Sequence, residues 1–353
     1  MREKILKVIR GYDLEEVVIG TLGSHSALNI LRGAKDEGFK TLCICRKGEE
    51  VVYECFGIAD EIVSVSDFLE ILNPRIQEKL IEKNVILIPH GSFNAYLKDL
   101  DRLIIPFFGN RELMIWETDR EKQRMWLEMS GLKMPKKFEK PEEIDRISIV
   151  KYHGAMGGRG YFLASDKNDF YKKFKYLVER GVVRDIRDVE IQEYIVGANV
   201  YLSFFYSPIF DRVELITIDR RYEVIDGLGR VPAEIQLSSD IEVTYTVIAN
   251  FPVVLRESLL SKAFKAARSV VDISRRIAHP GLIGPFCLET VFDDRAEMYV
   301  FEISARIVAG TNVGIPNSPY SYLMWGENMY MGRRIAREIK IAIEKGRIED
   351  VIY

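Results

Sequence analysis

The segment Lys151-Tyr152-His153-Gly154-Ala155-Met156-Gly157-Gly158-Arg159-Gly160-Tyr161-Phe162 sets four glycines in seven residues between two short apolar runs. Ile147-Ser148-Ile149-Val150 before it is rich in β-branched residues, and Tyr161-Phe162-Leu163-Ala164 after it is aromatic and apolar. Only then do Ser165 and Asp166 offer a helix N-cap. The order is strand, glycine loop, strand. A loop that seats phosphate on a helix N-terminus needs its last glycine to open a helix, and Tyr161-Phe162-Leu163 does not read that way. The segment reads instead as a hairpin loop that covers phosphate. Without a Cβ, backbone N–H groups can approach phosphate oxygens, and positive φ is freely available. Lys151, at the strand end, supplies the cation. A hairpin turn with spare glycines accounts for the same residues, so the rest of the chain has to decide.

The 353 residues exceed the size at which a single core keeps growing, which predicts two or three lobes. Lysine plus arginine (50) nearly balance aspartate plus glutamate (53), for a formal net charge of −3. That balance gives no footprint for nucleic acid or for an anionic membrane, and small-molecule chemistry is the expectation. Cys43, Cys45, Cys55 and Cys287 have neither the paired spacing of a zinc site nor the density of a disulfide scaffold, and are expected to be reduced core residues. No apolar run approaches the ~18 residues that a membrane span needs, so a cytoplasmic protein with no membrane partner is expected.

Val17 to Leu22 has the composition of a buried strand, Gly23-Ser24-His25-Ser26 that of a tight turn, and Ala27 to Lys35 repeats apolar residues at helical spacing. Phe39 to Cys45, Ala59 to Val65 and Val85 to Pro89 continue a βαβ series, with a helix from Pro74 to Lys83. A parallel, Rossmann-like sheet follows, and ligands of such sheets sit beyond the carboxyl ends of the strands. Gly23-Ser24-His25-Ser26 and Pro89-His90-Gly91-Ser92 both fall there. His25 reads either as a turn residue capping its own helix or as a ligand. Asn110 suits the N-cap of a long helix over Arg111 to Met129, which Gly131 and Pro135 end.

Val189 to Val196 is a strand closed by Gly197, with an apolar run from Val200 to Tyr206 at once after it. A later strand pair runs from Pro285 to Phe292 and from Glu297 to Ile303, across a polar turn at Asp293 to Ala296. If Phe292 pairs with Glu297, Glu289 faces Val300 and lies diagonal to Glu302 on the same face. Two carboxylates among apolar neighbours are explained by a shared hard cation such as Mg²⁺, or by a solvated strand face. Arg306, four residues past Glu302, is placed to meet a transferring phosphoryl group. Ile335, Ile339 and Ile343 form one stripe of a closing helix and are expected in the core.

The lysine-tipped strand, the glycine hairpin, the Gln192-Glu193-Tyr194-Ile195 hinge strand and the glutamate pair resemble, in order, the ATP-grasp superfamily. Gly23-Ser24-His25-Ser26, Pro89-His90-Gly91-Ser92-Phe93, Arg221-Tyr222-Glu223, Gly284-Pro285-Phe286-Cys287-Leu288 and Phe301-Glu302-Ile303-Ser304-Ala305-Arg306 sharpen the likeness. They resemble the archaeal 5-formaminoimidazole-4-carboxamide ribonucleotide synthetases along nearly the whole chain. The resemblance implies an α/β (α+β) architecture in which an ATP-grasp fold follows a Rossmann-like parallel-sheet domain. The lobes would span residues 1–125, 126–198 and 199–353. It implies ATP- and formate-dependent formylation of 5-aminoimidazole-4-carboxamide ribonucleotide (AICAR), with Mg²⁺ (or Mn²⁺) and no folate. Carried over by position, His25, Ser92 and Asn250 would contact AICAR, and Glu289 and Glu302 would hold the metal. Lys151, Gly154, Gly157, Gly158, Gly160, Gln192, Glu193, Tyr194, Ile195 and Glu223 would bind ATP. Lys151 and Arg306 would offset phosphate charge during the reaction. His90 and His153 each read either as a general base or as a satisfied structural histidine. A trimer-based homo-oligomer is the family expectation. A ligase for another carboxylate or a related nucleotide, or a nucleotide sensor on the same fold, would present the same motifs.

Overall fold

The computed structural model describes residues 1–97, 99–152, 160–224 and 246–353. His153, Gly154, Gly157 and Gly158 lie outside the described residues. Three sheets follow one another along the chain. The first comprises β1 (Val18–Leu22), β2 (Lys40–Arg46), β3 (Glu61–Val65) and β4 (Val85–Leu87), in the order β3-β2-β1-β4 and parallel throughout. Its central strands are apolar on both faces because helices cover both, among them Ala27–Asp36.

The second sheet holds β5 (Lys137–Phe138), β6 (Ser148–Tyr152), β7 (Tyr161–Ala164) and β8 (Val189–Glu193), in the order β5-β8-β6-β7. β6 and β7 are antiparallel neighbours with Lys151 opposite Tyr161, so the glycine segment joins the two strands of a hairpin. A small core of Phe138, Val150, Ala164, Phe170 and Ile191 lies under this sheet. The third sheet contains β9 (Ala198–Ser207), β10 (Arg212–Glu223), β11 (Val247–Pro252), β12 (Gly284–Phe292) and β13 (Met298–Ser304). Its order is β11-β10-β9-β12-β13, antiparallel throughout, and the helix Glu257–Ile277 covers one face with alanines and valines. The opposite face carries the polar residues considered below.

The first and third sheets share a core. Ile19, Ile30 and Ile86 of the first lobe pack in one cluster with Phe205, Ile216 and Ile283, and with Ile335 and Ile339 of the closing helix Met331–Glu344. That helix crosses Ala27–Asp36 in backbone contact, since a Cβ on Gly33 would stand 2.1 Å from Arg333 N.

Two expectations are corrected here. The helix read from Arg111 to Met129 is broken at Asp119 into Arg111–Thr118 and Arg120–Met129. Asp119 is extended, and its side chain accepts from the N–H groups of Glu121 and Lys122, both at 3.1 Å, so a new N-cap starts inside an apolar period. Of the four cysteines only Cys43, Cys45 and Cys287 are buried, whereas Cys55 is exposed near the end of the short helix Val51–Phe56.

Candidate active site

The glutamate pair sits on the open face of the third sheet. Phe292 pairs with Met298 rather than Glu297, and the register shifts between Glu289 and Thr290, which brings Glu289 directly opposite Glu302. The bulge thus places the two carboxylates closer than the expected diagonal. Glu289 is 3 % exposed, while Glu302 is exposed. Arg221 of β10 reaches across, its Nη2 donating to Glu289 Oε1 at 2.6 Å and its guanidinium lying 4.0 Å from the centre of the Tyr201 ring. Burial pushes the Glu289 carboxyl up to about 7, against the pull of Arg221 and with a further push from Glu302. Burial alone would lower the Arg221 pKa, but Glu289 and its neighbours hold it above its ordinary value.

Two carboxylates directly opposite one another on neighbouring strands fit a hard divalent cation. Among the described residues no group of three or more His, Cys, Asp or Glu could hold a metal ion.

Lys151, one residue before the end of β6, lies between Glu190 of β8 and Tyr161 of β7. Its ammonium is partly desolvated, which lowers its pKa, while Glu190, Glu302 and Glu289 act in the opposite sense. The Tyr161 hydroxyl is raised by burial and then by Glu302. The second sheet therefore lowers a lysine and a tyrosine toward the glutamates of the third. Gly160, beside them, has a φ of 86° and accepts from the Tyr152 N–H at 3.1 Å.

At the hinge, Gln192 is buried between Lys137 and Ile149. The Glu193 carboxylate accepts from Arg146 Nη1 at 2.9 Å and from the Lys136 N–H at 3.1 Å. The N–H groups of Glu193 and Tyr194 donate to Lys136 and Ile147 carbonyls at 2.8 and 2.9 Å, and Ile195 follows at the strand exit. Glu193 is thus turned to the lobe's own chain. Glu223 ends β10 opposite Val247, one residue past a register shift.

The first lobe contributes two stacked histidines, His25 and His90, with ring centres 5.4 Å apart and planes 3° from parallel. His90 is fully buried. Its Nε2 lies 2.9 Å from the Leu22 carbonyl and its Nδ1 accepts from the Ser92 N–H at 3.2 Å, which fixes the neutral tautomer and engages both nitrogens. Burial brings His90 down to about 4. Of the two readings of His90 the structure favours the structural one, a support for Ser92, which is itself buried.

His25 has a φ of 52°, and its ring lies where a Cβ on Gly91 would stand 2.8 Å from Nε2. It is open to solvent yet hemmed in by protein, as at the floor of a cleft. That crowding, then His90, Arg306 and Arg221, keeps its pKa well below the ordinary histidine value. The first lobe and the third sheet meet here, through a parallel bridge between His90 and Ile307 and a contact of Asn312 Nδ2 with the His25 carbonyl at 3.4 Å. Asn250 stands opposite Arg221 in the register of β10 and β11. Arg306 is paired with Glu117 at 2.8 Å.

The structure thus brings Lys151, Glu289, Glu302, Arg306 and His25 within range of one another's charges, adds Arg221, Tyr161 and Glu117 to them, and buries Asp219 beside Arg221. Asp219, on β10, is 1 % exposed, and neither of its oxygens has a hydrogen-bond partner. Sequence reasoning passed over these four because a lone charge or phenol on a strand or helix has no spacing signal. Arg221 and Tyr161 stood inside quoted motifs, with no role assigned to either.

Two family models match the chain, a protein of unknown function (DUF1246) over residues 19–138 and a domain of unknown function (DUF1297) over residues 169–353. A 5-formaminoimidazole-4-carboxamide-1-(beta)-D-ribofuranosyl 5'-monophosphate synthetase of Archaeoglobus fulgidus is 62% identical over 100% of this chain and 99% of its own length. Among solved structures, an IMP biosynthesis protein PurP from Thermococcus kodakaraensis superposes with a TM-score of 0.77 at 32% identity, covering 95% of this chain and 100% of that one. An N5-carboxyaminoimidazole synthetase from Staphylococcus aureus, complexed with ADP, reaches a TM-score of 0.59 at 17% identity over 85% of this chain and 73% of that one, a likeness of fold. The coverage is end to end at high identity, and the chain belongs to the 5-formaminoimidazole-4-carboxamide-1-(beta)-D-ribofuranosyl 5'-monophosphate synthetase family, on an ATP-grasp fold.

Proposed function

We propose that this chain is a carbon–nitrogen ligase that formylates the 5-amino group of AICAR with formate and ATP, releasing ADP and phosphate. The observation that carries the reading is the pair Glu289 and Glu302, directly opposite one another, with Lys151 of the second sheet and Arg221 and Arg306 of the third close enough for their charges to act on it. The name of the Archaeoglobus fulgidus relative supplies the substrate class.

Formate is a stable carboxylate and does not acylate an amine unaided. Attack of a formate oxygen on the γ-phosphorus, with departure of ADP, gives formyl phosphate. Attack of the AICAR amine on its carbonyl carbon then expels phosphate, and one amine proton is lost. Little covalent work falls to the protein, whose share is positioning and charge neutralisation. Lys151 would hold phosphate oxygens, its partly desolvated ammonium acting in a site of low polarity. Arg306 would face the transferring phosphoryl group. A Mg²⁺ or Mn²⁺ ion held by Glu289 and Glu302 would screen the charge of the β- and γ-phosphates. Glu223, Gly160 and the hinge from Gln192 to Ile195 would seat ATP, together with the glycines outside the described residues.

His25, Ser92 and Asn250 would hold AICAR on the other side of the cleft. His25 is neutral at pH 7, and its Nδ1 lies 2.8 Å from Ser26 Oγ, which leaves Nε2 for the nucleotide. Incubation of the purified chain with ATP, Mg²⁺, AICAR and formate, followed by product analysis, tests the reading. Formylated nucleotide that depends on formate and appears with ADP in equal amount is the expected result. Turnover with larger acids and none with formate would move the chain to another carboxylate.

A further inference from the structure

The Arg306 guanidinium is held from behind. Glu117, near the end of the helix Arg111–Thr118, has a side chain only 6 % exposed, and three donors from two segments converge on it. Arg306 Nη2 lies 2.8 Å from Oε1, the Ala305 N–H donates to Oε2 at 2.8 Å, and Asn94 Nδ2 donates to Oε1 at 3.2 Å. Asn94 belongs to the short helix Gly91–Tyr96, which also carries Ser92. Gln123 adds a second tie to the same region, its Nε2 reaching both the Glu117 carbonyl at 3.0 Å and the Ile303 carbonyl at 3.1 Å. One carboxylate therefore fixes the end of the strand that bears Glu302 and the helix that bears Ser92.

The electrostatics agree with that geometry. Burial raises the Glu117 pKa, and the Arg306 charge and the Ala305 N–H oppose the rise. A planar guanidinium gripped by a buried carboxylate keeps one orientation, because turning it would leave a charge unpaired. Arg306 Nη1 also reaches the Ile307 carbonyl at 3.3 Å, while its Nε is buried without a hydrogen-bond partner, a donor left for a ligand.

We infer that Glu117 is a positioning residue that aims the Arg306 guanidinium and ties it to the helix bearing Ser92, so that the phosphoryl-transfer and AICAR subsites are set by one side chain. The inference rests on the function proposed above, in which Arg306 faces the transferring phosphoryl group. Glu117 neither gives nor takes a proton in this role. Its loss is felt in the rate of the assembled complex rather than in the grip on ATP.

A double-mutant cycle tests it. Glu117→Gln keeps the side-chain shape and removes the charge, and kcat should fall about 10–100-fold, the size of effect that follows from a catalytic group misplaced by an ångström. KM for ATP should stay within about threefold, since a positioning loss appears in kcat. In an Arg306→Lys background the same substitution should cost less than about threefold more, because the group it acts through has already been changed. Equal factors in the two backgrounds, or a loss confined to KM for ATP, overturn the inference and leave a structural clamp. If Glu117→Gln does not fold, Glu117→Asp, which keeps the charge on a shorter stem, enters the same cycle under the same criterion. A wild-type chain that makes no formylated product overturns the proposed function and this inference together. Product formation with additive losses overturns the inference alone.

Discussion

Asp219 is the residue whose surroundings are least comfortable. Both carboxylate oxygens are buried without partners, and they occupy the space that a Cβ on Gly310 would fill, at 2.2 Å. Burial pushes the carboxyl up to about 7, with Arg221 pulling the other way. A folded value raised above the ordinary 3.8 means that its contribution to stability is full below pH 4 and is lost as pH rises through 7. Asp219→Asn stays neutral throughout, so at pH 8 it should be more stable than wild type by on the order of 2–4 kcal/mol, with the difference vanishing near pH 4. Thermal unfolding at several pH values checks this, and parallel curves for the two proteins would show that Asp219 does not titrate in that window. Glu302→Gln is the counterpart at the cleft. It should abolish turnover while leaving the melting temperature near that of wild type, since the side chain is exposed and the fold does not lean on it. Near-normal ligation at ordinary Mg²⁺ would remove Glu302 from the metal site. Glu289, Glu302 and Lys151 were legible in the sequence because carboxylates on apolar strands and a lysine before a glycine hairpin are conspicuous. Asp219 was not, because an isolated aspartate in Thr217-Ile218-Asp219 reads as a solvated strand position until the turn Ala309–Gly314 is seen to cover it.

At the scale of elements, composition and period gave the order of strands and helices but not where they deviate from regularity. Alternation placed Glu289 and Glu302 on one face, yet a bulge leaves no mark in a two-residue period, so the direct opposition of the pair had to come from the structure. The break at Asp119 is similar. Thr118-Asp119 continues the helical pattern on paper, and the cap that interrupts it lets Glu117 face Arg306 from the end of a helix rather than from the middle of one. Glycines inside helices are the converse case, residues whose cost in the helix is visible and whose reason is not. Gly33 of Ala27–Asp36 and Gly332 of Met331–Glu344 let the two backbones touch, with a Gly33 Cβ at 2.2 Å from Gly332 C. Gly33→Ala cannot be absorbed by a side-chain rotation, because the obstacle is backbone. The substitution should cost about 1–3 kcal/mol of stability, the usual penalty of overpacking, despite the better helix propensity of alanine. A melting temperature equal to or above that of wild type would show that the helices separate freely.

In the whole molecule, the shared core of the first and third sheets contrasts with the small separate core of the second. The residues proposed to hold AICAR are therefore built within one packed body, whereas those proposed to hold ATP lie between that body and a lobe with its own support. This division was only partly legible. The three segments were visible, but the return of the closing helix onto Ala27–Asp36, which makes the first and last segments one body, joins residues some 300 positions apart and has no local signature. It follows that the two nucleotides should be separable by mutation. His25 sits at the seam and Ser92 is braced by His90, and removal of either side chain takes away hydrogen-bonding groups without touching the second sheet. His25→Ala and Ser92→Ala should each weaken AICAR binding by about 1–3 kcal/mol, as expected for one hydrogen bond lost from a ligand. ATP affinity should be unchanged. Calorimetric titration of each variant with each nucleotide reads both quantities, and circular dichroism with a melting curve shows whether the stacked histidine pair was needed for folding. Parallel losses for ATP and AICAR in a folded variant would mean that the cleft acts as a single site. Wild-type AICAR affinity in both variants would take the nucleotide away from the first lobe and leave the proposed ligase without its acceptor site.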